Sequence, residues 1–439
     1  MTYDDLIREL FPRLSGGIRW GLERTTRLLD SVGDPHRQFR TIHIGGTNGK
    51  GSVAALMAST LSESGLRTGL YTSPHLCTFR ERIQIDGRPI GVEPLLAAAE
   101  RLWPAVEAQR PSFFEATTAL AFLALAEAGV RVAAVEVGLG GRLDATNVIE
   151  PDVVVLTNVA LDHVQLLGDT VQAVAVEKAG IIKPGVPVVT AESDAVPLGV
   201  FEAAALAAGA RLDVIAAADI LAAETGLAGT SILFAAGGAG AEALWAPLPG
   251  AHQARNMAVA ARALAALPPD LRPVADAVRG GFAAVRWPGR LQVERVHGRT
   301  WLFDVAHNVA GAESLAAALH ALEPPGPVAA LIGVLGDKDW RGMLGPLFAG
   351  VDAAVLTRPP TAPAERAWDP AAVVAEVPAA HAEAVIPFEA ALEKAWRLAG
   401  PAGTVLVTGS FHTVGDAMIA LGCAPFGADA GLPVPAFAA

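Results

Sequence analysis

Cysteine and basic side chains are both scarce in this sequence of 439 residues. The only cysteines are Cys77 and Cys423, which are too few for a disulfide framework or a zinc-ligand cluster. Lysine and arginine together number 33 against 45 aspartates and glutamates, which gives a net charge of −12 with histidine neutral. Because phosphate backbones need a basic surface, we expect no nucleic-acid partner, although a local basic pocket for a small anion remains compatible with this composition.

Long apolar runs are also missing. The longest uncharged stretches, 225–241 and 398–415, are interrupted by glycine and by serine or threonine, so neither is typical of a membrane span. The N-terminus, MTYDDLIREL, lacks a basic region followed by an apolar one and does not resemble a secretory signal. We therefore expect a cytoplasmic protein with no membrane contact.

Hydrophobic residues, at 52%, are plentiful enough to build a sizeable core, which excludes an intrinsically disordered chain. Short β-branched runs alternate with Ala/Leu-rich amphipathic stretches, a pattern typical of α/β proteins with parallel sheets. Strands are predicted at 40–44, 132–137, 153–156, 300–305, 328–332, 353–356 and 404–407, and helices at 51–64, 170–180 and 253–267. The Ala/Gly-rich segment from about 203 to 250 gives only weak strand signals.

The segment GTNGKGS, residues 46–52, lies directly between a predicted strand and a predicted helix. Glycines let backbone N–H groups approach a phosphate, and Lys50 can reach terminal phosphate oxygens. The common phosphate-loop pattern ends in Gly-Lys-Ser/Thr, whereas here Gly51 separates Lys50 from Ser52. The alternative is a plain glycine-rich turn, but the lysine and the strand–loop–helix context favour nucleotide binding.

Glu136 ends a predicted buried strand beside this loop, where a carboxylate suits Mg²⁺. The alternative is a strand end and glycine turn with a solvated Arg142–Asp144 pair. His163 follows the next strand, and Lys178 lies on a predicted helix. Taken alone, His163 and Lys178 are more typical of structural residues than of ligands.

Ten segments of the chain occur in the order expected of one family. They are HIGGTNGKGS, YTSPHL, FFEATTAL, VEVGLGGRLDATN, ALDHVQLLGDT, EKAGIIK, WPGRLQV, FDVAHN, GDKDW and TGSFHTVG. Together they resemble the bacterial dihydrofolate synthase/folylpolyglutamate synthase family of the Mur ligase superfamily. The resemblance extends from about Gly21 to about Val414, which is nearly the whole chain.

The resemblance implies an α/β fold of two domains. An N-terminal P-loop ATPase domain of the Mur ligase type, 1–287, would carry the folate or pteroate pocket. A smaller Rossmann-like glutamate-ligase domain, 288–425, would follow the bend at Trp287, and 426–439 would form a flexible tail.

The resemblance also implies the reaction. The family uses ATP to join a carboxylate to the amino group of L-glutamate through an acyl phosphate, and its members act on dihydropteroate and on folates. The implied ligands are ATP as co-substrate, two Mg²⁺ ions, dihydropteroate, folates and L-glutamate, and we expect a monomer. The alternatives are a monofunctional folylpolyglutamate synthase, another Mur-type amide ligase, and a non-enzymatic nucleotide switch, which would leave the second domain's residues without a role.

Site residues follow from the resemblance position by position. Lys50, Lys178, Asp304 and His307 are implied to be catalytic, and Lys178 to carry a carbamate. The implied ATP contacts are Thr47, Asn48, Gly49, Lys50, Gly51, Ser52, Asn256, Arg290 and Asp304, and the implied metal ligands are Ser73, Glu136 and His163. The implied substrate contacts are Ser112, Phe113, Phe114, Glu115, Leu143, Asp144, Ala145, His307 and Ser410, with the stretch 18–24 bordering that pocket.

Overall fold

The computed structural model describes residues 1–14, 20–235, 240–377, 381–429 and 437. These residues form two α/β units, each built on its own sheet, which we call the N-terminal unit (up to residue 287) and the C-terminal unit (from residue 288). Among the described residues, no helix is both long enough and apolar enough to cross a membrane.

The N-terminal unit contains an eight-stranded sheet in the order β4-β3-β2-β5-β1-β6-β7-β8. The strands from β2 to β8 in that order run parallel, β3 pairs antiparallel with β2, and β4 pairs antiparallel with β3. Their bounds are β1 Arg40–Gly45, β2 Thr68–Tyr71, β3 Ile83–Ile85, β4 Arg88–Pro89, β5 Val132–Glu136, β6 Val153–Leu156, β7 Val188–Thr190 and β8 Leu212–Val214. The helices are α1 Tyr3–Leu10, α2 Glu23–Asp30, α3 Lys50–Glu63, α4 Val92–Gln109, α5 Phe113–Glu127, α6 Val164–Leu167, α7 Val171–Ala179, α8 Ala195–Ala207, α9 His252–Ala265 and α10 Ala275–Ala284.

Both faces of this sheet are covered, which explains why its central strands are apolar throughout. In β5, Val132 and Ala134 pack into one core with α3, α9 and α10. The intervening Ala133 and Val135 pack into a second core with α4 and α5. Because successive side chains of a strand point to opposite faces, only a strand with two buried faces is uniformly hydrophobic. Because β1 pairs parallel with β5 and with β6, the carboxyl ends of these three strands meet at one edge of the sheet.

The weakly patterned segment forms a three-stranded antiparallel sheet, with β9 Ile220–Gly226, β10 Gly229–Ala235 and β11 Ala241–Ala246. Its alternation is real, since Ile232 and Phe234 are buried while Leu233 is 37% exposed. Alanine at many of the remaining positions reduces the contrast between the two faces, which is why the sequence pattern is weak.

The C-terminal unit contains a six-stranded sheet in the order β12-β13-β17-β14-β15-β16, parallel except for β12. The strands are β12 Gln292–Val296, β13 Arg299–Phe303, β14 Val328–Ile332, β15 Ala353–Leu356, β16 Ala382–Ala384 and β17 Thr404–Thr408. The helices are α11 Val309–Leu322, α12 Trp340–Ala349, α13 Pro370–Glu376, α14 Phe388–Leu398 and α15 Phe411–Ala420. The ends of each predicted strand and helix lie within about two residues of those of an observed element. The predicted α/β class with a Rossmann-like second sheet is confirmed.

The tail is described only in part. Of 426–439, residues 430–436, 438 and 439 lie outside the described residues. The Asp429 carboxylate accepts hydrogen bonds from the Thr78 hydroxyl at 2.6 Å, the Phe79 N–H at 2.9 Å and the Tyr3 hydroxyl at 2.8 Å. Phe437 packs against the ring of Trp301. The described tail residues thus contact both units, and the flexibility of 426–439 stays a prediction.

Candidate active site

A cavity of about 330 Å³ lies where the two units meet, at the carboxyl edge of the N-terminal sheet. It is lined by every residue predicted for ATP, metal or modification, and by the predicted catalytic residues. These are Thr47, Asn48, Gly49, Lys50, Gly51, Ser52, Ser73, Glu136, His163, Lys178, Asn256, Arg290, Asp304 and His307. Residues from distant parts of the sequence therefore form one site.

The phosphate loop, residues 46–52, runs from β1 into the first turn of α3. Gly49 has φ 83°, and a Cβ there would lie 2.5 Å from the Asn256 side-chain oxygen. Gly46 has φ 138°, and a Cβ there would lie 1.8 Å from the Thr157 hydroxyl. Only glycine fits these backbone angles and contacts. The loop therefore presents backbone N–H groups and a helix N-terminus, a combination that binds anions.

Lys50 extends from this helix start towards the acid that ends β5. Its Nζ donates to the Thr47 carbonyl at 3.0 Å and lies 4.0 Å from Glu136 Oε1. The other Glu136 oxygen accepts the Ser73 N–H at 3.2 Å. Burial raises the pKa of Glu136, and the charge of Lys50 opposes this shift.

The predicted metal ligands are only partly assembled. Glu136 and Ser73 lie together and offer the hard oxygen donors that Mg²⁺ prefers. His163 lies at the start of α6, with its Nε2 3.3 Å from Lys338 Nζ. Burial and the Lys338 charge lower the pKa of His163 to about 4. Among the described residues, no group of three or more His, Cys, Asp or Glu side chains is arranged to hold a metal ion. Glu136 and Ser73 fit magnesium, and the complete ligand set stays a prediction.

Lys178 lies on α7 and is only 4% exposed. Its Nζ donates to the Gly46 carbonyl at 2.9 Å, so Lys178 contacts the first residue of the phosphate loop. Burial, together with the charge of Lys50, lowers the pKa of Lys178 to about 7. A substantial fraction of this amine is therefore neutral near pH 7, and a neutral amine is the form that reacts with CO₂.

The C-terminal unit closes the cavity with residues of the linker and of the β13–α11 loop. The Asp304 carboxylate accepts the N–H groups of Leu291 at 3.0 Å and Ala306 at 2.9 Å, which fixes the loop. The Arg290 guanidinium lies 5.3 Å from the Phe411 ring centroid. Burial raises the pKa of Asp304, and the charge of Arg290 opposes this shift. His307 is held by a 2.9 Å contact between its Nδ1 and the Val305 carbonyl.

A set of polar contacts that we did not predict joins the two units. Asn308 Nδ2 donates to Asn48 Oδ1 at 3.0 Å and to Asp162 Oδ2 at 3.2 Å. Lys338 Nζ donates to Asp162 Oδ1 at 2.7 Å. We call Asn48, Asp162, Asn308 and Lys338 the interdomain clasp. The segments ALDHV, FDVAHN and GDKDW contain three of its members, but nothing in their spacing indicates that they meet.

The predicted acceptor residues lie outside this cavity, and several have structural partners. Ser112 and Glu115 form a capping box at the start of α5, and Glu115 also accepts a 2.8 Å hydrogen bond from Arg24. Phe113 and Phe114 pack among aromatic rings, and Phe114 lies against Gly138 of the cavity wall. Residues 18 and 19 of the expected border lie outside the described residues.

The triplet Leu143, Asp144 and Ala145 starts a short 3-10 helix, Ala145–Val148. The Asp144 carboxylate accepts the N–H groups of Leu139 at 2.8 Å and Thr146 at 3.0 Å, so it fixes the glycine turn after β5. The Arg142–Asp144 pair considered above is absent, because Arg142 pairs with Glu177 at 2.7 Å. Ser410 caps α15 by accepting the Thr413 N–H at 3.1 Å, next to Phe411 of the cavity. Roles of these residues in substrate binding remain predictions.

Known proteins match both units. Residues 44–264 match the Mur ligase middle domain, and residues 289–411 match the Mur ligase glutamate ligase domain. The chain is 36% identical to a dihydrofolate synthase/folylpolyglutamate synthase of Bacillus subtilis, over 78% of this chain and 82% of that protein. A folylpolyglutamate synthase of Mycobacterium tuberculosis complexed with ADP superposes with a TM-score of 0.85 at 34% identity, covering 94% of this chain and 96% of that one. FolC of Escherichia coli, in complex with DHPP and ADP, gives a TM-score of 0.80 at 32% identity, with 91% and 93% covered. The chain belongs to the dihydrofolate synthase/folylpolyglutamate synthase family of Mur ligases.

Proposed function

We propose that this chain is a ligase that uses ATP to join L-glutamate first to dihydropteroate, forming dihydrofolate, and then to folates. The observation that carries this proposal is the single cavity to which the phosphate loop, Glu136 and the C-terminal residues Asp304 and His307 all contribute. A nucleotide switch would need the phosphate loop but not the residues of the second unit.

In the first step, an oxygen of the acceptor carboxylate attacks the γ-phosphorus of ATP, and ADP leaves with the electron pair of the broken P–O bond. Phosphoryl transfer depends mainly on positioning and on neutralising charge. The phosphate loop positions the phosphates, and the ammonium of Lys50 neutralises charge on the transferred group. Glu136 and Ser73 would hold Mg²⁺, with His163 and a carbamate on Lys178 as further ligands, and the bound ions would supply additional positive charge at the phosphates.

In the second step, the amine of glutamate attacks the acyl carbon, phosphate leaves, and the amine gives up a proton. The departing phosphate takes this proton. His307 lines the cavity from the C-terminal unit, and burial lowers its pKa to about 4, so its ring is neutral at pH 7 and we place it beside the incoming glutamate. Because water would hydrolyse an acyl phosphate, closure of the C-terminal unit over the cavity protects it. We place Asn256, Arg290 and Asp304 against ATP, and Ser410 beside the incoming glutamate.

The experiment is ADP release in the presence of ATP, Mg²⁺ and glutamate, with dihydropteroate, tetrahydrofolate or no acceptor. We expect release to require an acceptor and glutamate together, and to occur with both acceptors. Release with tetrahydrofolate alone would identify a monofunctional folylpolyglutamate synthase, and release with neither would overturn the proposal. Lys50→Ala should slow turnover by a factor that corresponds to about 3–4 kcal/mol of transition-state stabilisation. The melting temperature should change little, because the Lys50 side chain extends from the first turn of α3 into the cavity rather than into a hydrophobic core.

We also propose that the two domains span residues 1–287 and 288–425, and that the protein is a cytoplasmic monomer.

A further inference from the structure

Arg82 is a charged side chain to which nothing above assigns a role. It ends the short 3-10 helix Phe79–Arg82 and is only 6% exposed. Its guanidinium carbon lies 5.2 Å from the Phe113 ring centroid and 6.0 Å from that of Phe79. Aromatic faces attract a cation but do not neutralise it.

The hydrogen bonding of this guanidinium is incomplete. Its Nε donates to His75 Nδ1 at 2.9 Å, and within the described parts of the chain no carboxylate oxygen lies within 4 Å of it. The adjacent Glu81 does not serve as its partner, because the Glu81 oxygens accept the N–H groups of residues 76, 77 and 78. The charges of Glu81 and Glu136 attract the guanidinium, but neither carboxylate neutralises it by direct contact. Arginine suits bidentate contacts with a carboxylate. The two free Nη groups therefore fit a ligand carboxylate.

The position of Arg82 indicates which carboxylate this is. Arg82 touches Phe113, which belongs to the predicted acceptor segment 112–115. Through His75 it also contacts the loop that carries Ser73 and Pro74 into the cavity. Arg82 itself is not one of the described residues that line the cavity, so it is not placed to hold a carboxylate that attacks ATP.

We propose that Arg82 binds the α-carboxylate of a folate acceptor and thereby directs the γ-carboxylate towards the γ-phosphate. The α-carboxylate lies next to the p-aminobenzoyl amide, nearer the acceptor pocket, whereas the γ-carboxylate extends two methylene groups further. Dihydropteroate has one carboxylate, which must enter the phosphate site, so Arg82 has no carboxylate to bind on that acceptor. This inference rests on the proposed function and makes Arg82 a specificity residue for folate extension.

The test compares the two acceptors in wild type, Arg82→Lys and Arg82→Gln. For Arg82→Gln we expect KM for tetrahydrofolate to rise at least ten-fold, while kcat/KM for dihydropteroate stays within about three-fold of wild type. Arg82→Lys should lie between wild type and Arg82→Gln, because lysine keeps the charge but loses the two-pronged contact. Arg80→Gln is the matched control, since the Arg80 side chain instead donates to the Ile90 carbonyl. Equal losses on both acceptors, or no loss, would overturn the inference.

A substrate analogue gives a second arm that does not depend on dihydropteroate turnover. Tetrahydrofolate whose α-carboxylate is replaced by a carboxamide should show at least a ten-fold higher KM with wild type, and Arg82→Lys or Arg82→Gln should then add little. If the increase in KM caused by the substitution multiplies the increase caused by the carboxamide, Arg82 and the α-carboxylate act independently, which contradicts the inference. Wild-type protein that glutamylates neither acceptor would instead refute the proposed function, so the two failures are distinguishable.

Discussion

Lys338 of the C-terminal unit donates a hydrogen bond to Asp162 of the N-terminal unit, with 2.7 Å between Nζ and Oδ1. Both side chains are about nine-tenths buried, with 10% and 12% exposed. Burial raises the pKa of Asp162, but Lys338, His163 and His307 together outweigh burial and lower that pKa well below its ordinary value. The ion pair therefore connects the position of the C-terminal unit to the cavity.

We expect Lys338→Ala to lower kcat/KM at least ten-fold, because it leaves Asp162 charged without its cation. Breaking a buried pair by removing one partner costs about 3–5 kcal/mol. Steady-state kinetics give the rate, and solution scattering should show a broader distribution of distances between the units. Lys394→Ala is the control, since its pair with Glu383 is 41% and 44% exposed. Such exposed pairs contribute about 0–1 kcal/mol. If the two variants behave alike, the clasp does not hold the closed arrangement.

The described tail offers a second test of contact between the units. We expect Asp429→Ala to lower the free energy of unfolding by about 1–3 kcal/mol, because the Thr78 hydroxyl and the Phe79 N–H lose their acceptor. Denaturant titration measures this loss. Asp276→Ala should change little, since the Asp276 side chain is 89% exposed. An Asp429→Ala protein as stable as that control would favour the flexible tail after all.

Asp416 predicts a dependence of stability on pH. It is 1% exposed and accepts two hydrogen bonds from Thr361, and burial raises its pKa to about 7. Between pH 4 and 7 the folded protein therefore binds more protons than the unfolded chain, so stability falls as the pH rises through this window and levels off above it. The full shift corresponds to about 4 kcal/mol.

The variant Asp416→Asn removes this titration. We subtract the unfolding free energy of Asp416→Asn from that of wild type. This difference should decrease from pH 5 to pH 7 and level off by pH 8. Other titrating groups cancel in this difference. A difference that does not change with pH would mean that the folded protein keeps Asp416 charged throughout.

The sequence was informative where a local pattern determines the structure. The strand before the phosphate loop and Glu136 at the end of β5 follow from hydrophobic runs and glycine spacing, and both lie where they were predicted. The parallel sheet then brings these ends together, since carboxyl ends of parallel strands share one edge. That is why so many predicted residues line one cavity.

Contacts between the two units could not be predicted in the same way. Asp162 and Lys338 are 176 residues apart, and their contact depends on how two separately folded sheets dock. Side-chain roles were also ambiguous, because a carboxylate that caps a helix has the same sequence signature as one that binds substrate. Glu115 and Asp144 illustrate this, since both have backbone N–H groups as partners.

Lys178 carries the last prediction, that its side chain reacts with CO₂ to form a carbamate. A cationic amine would repel Mg²⁺ bound at Glu136, and a neutral amine would be a poor ligand for so hard an ion. The carbamate removes the positive charge and adds two oxygens, so metal binding favours the modification. We expect Lys178→Ala to lose most activity and added acetate to restore part of it.

Protein equilibrated with Mg²⁺ and ¹³C-bicarbonate should show a carbamate carbon by NMR that Lys178→Ala lacks. Lys183→Ala is the control and should keep this signal, since the Lys183 amine donates to the Asn147 carbonyl outside the cavity. A bare amine at Lys178 in a high-resolution crystal structure obtained with Mg²⁺ and bicarbonate would refute the carbamate.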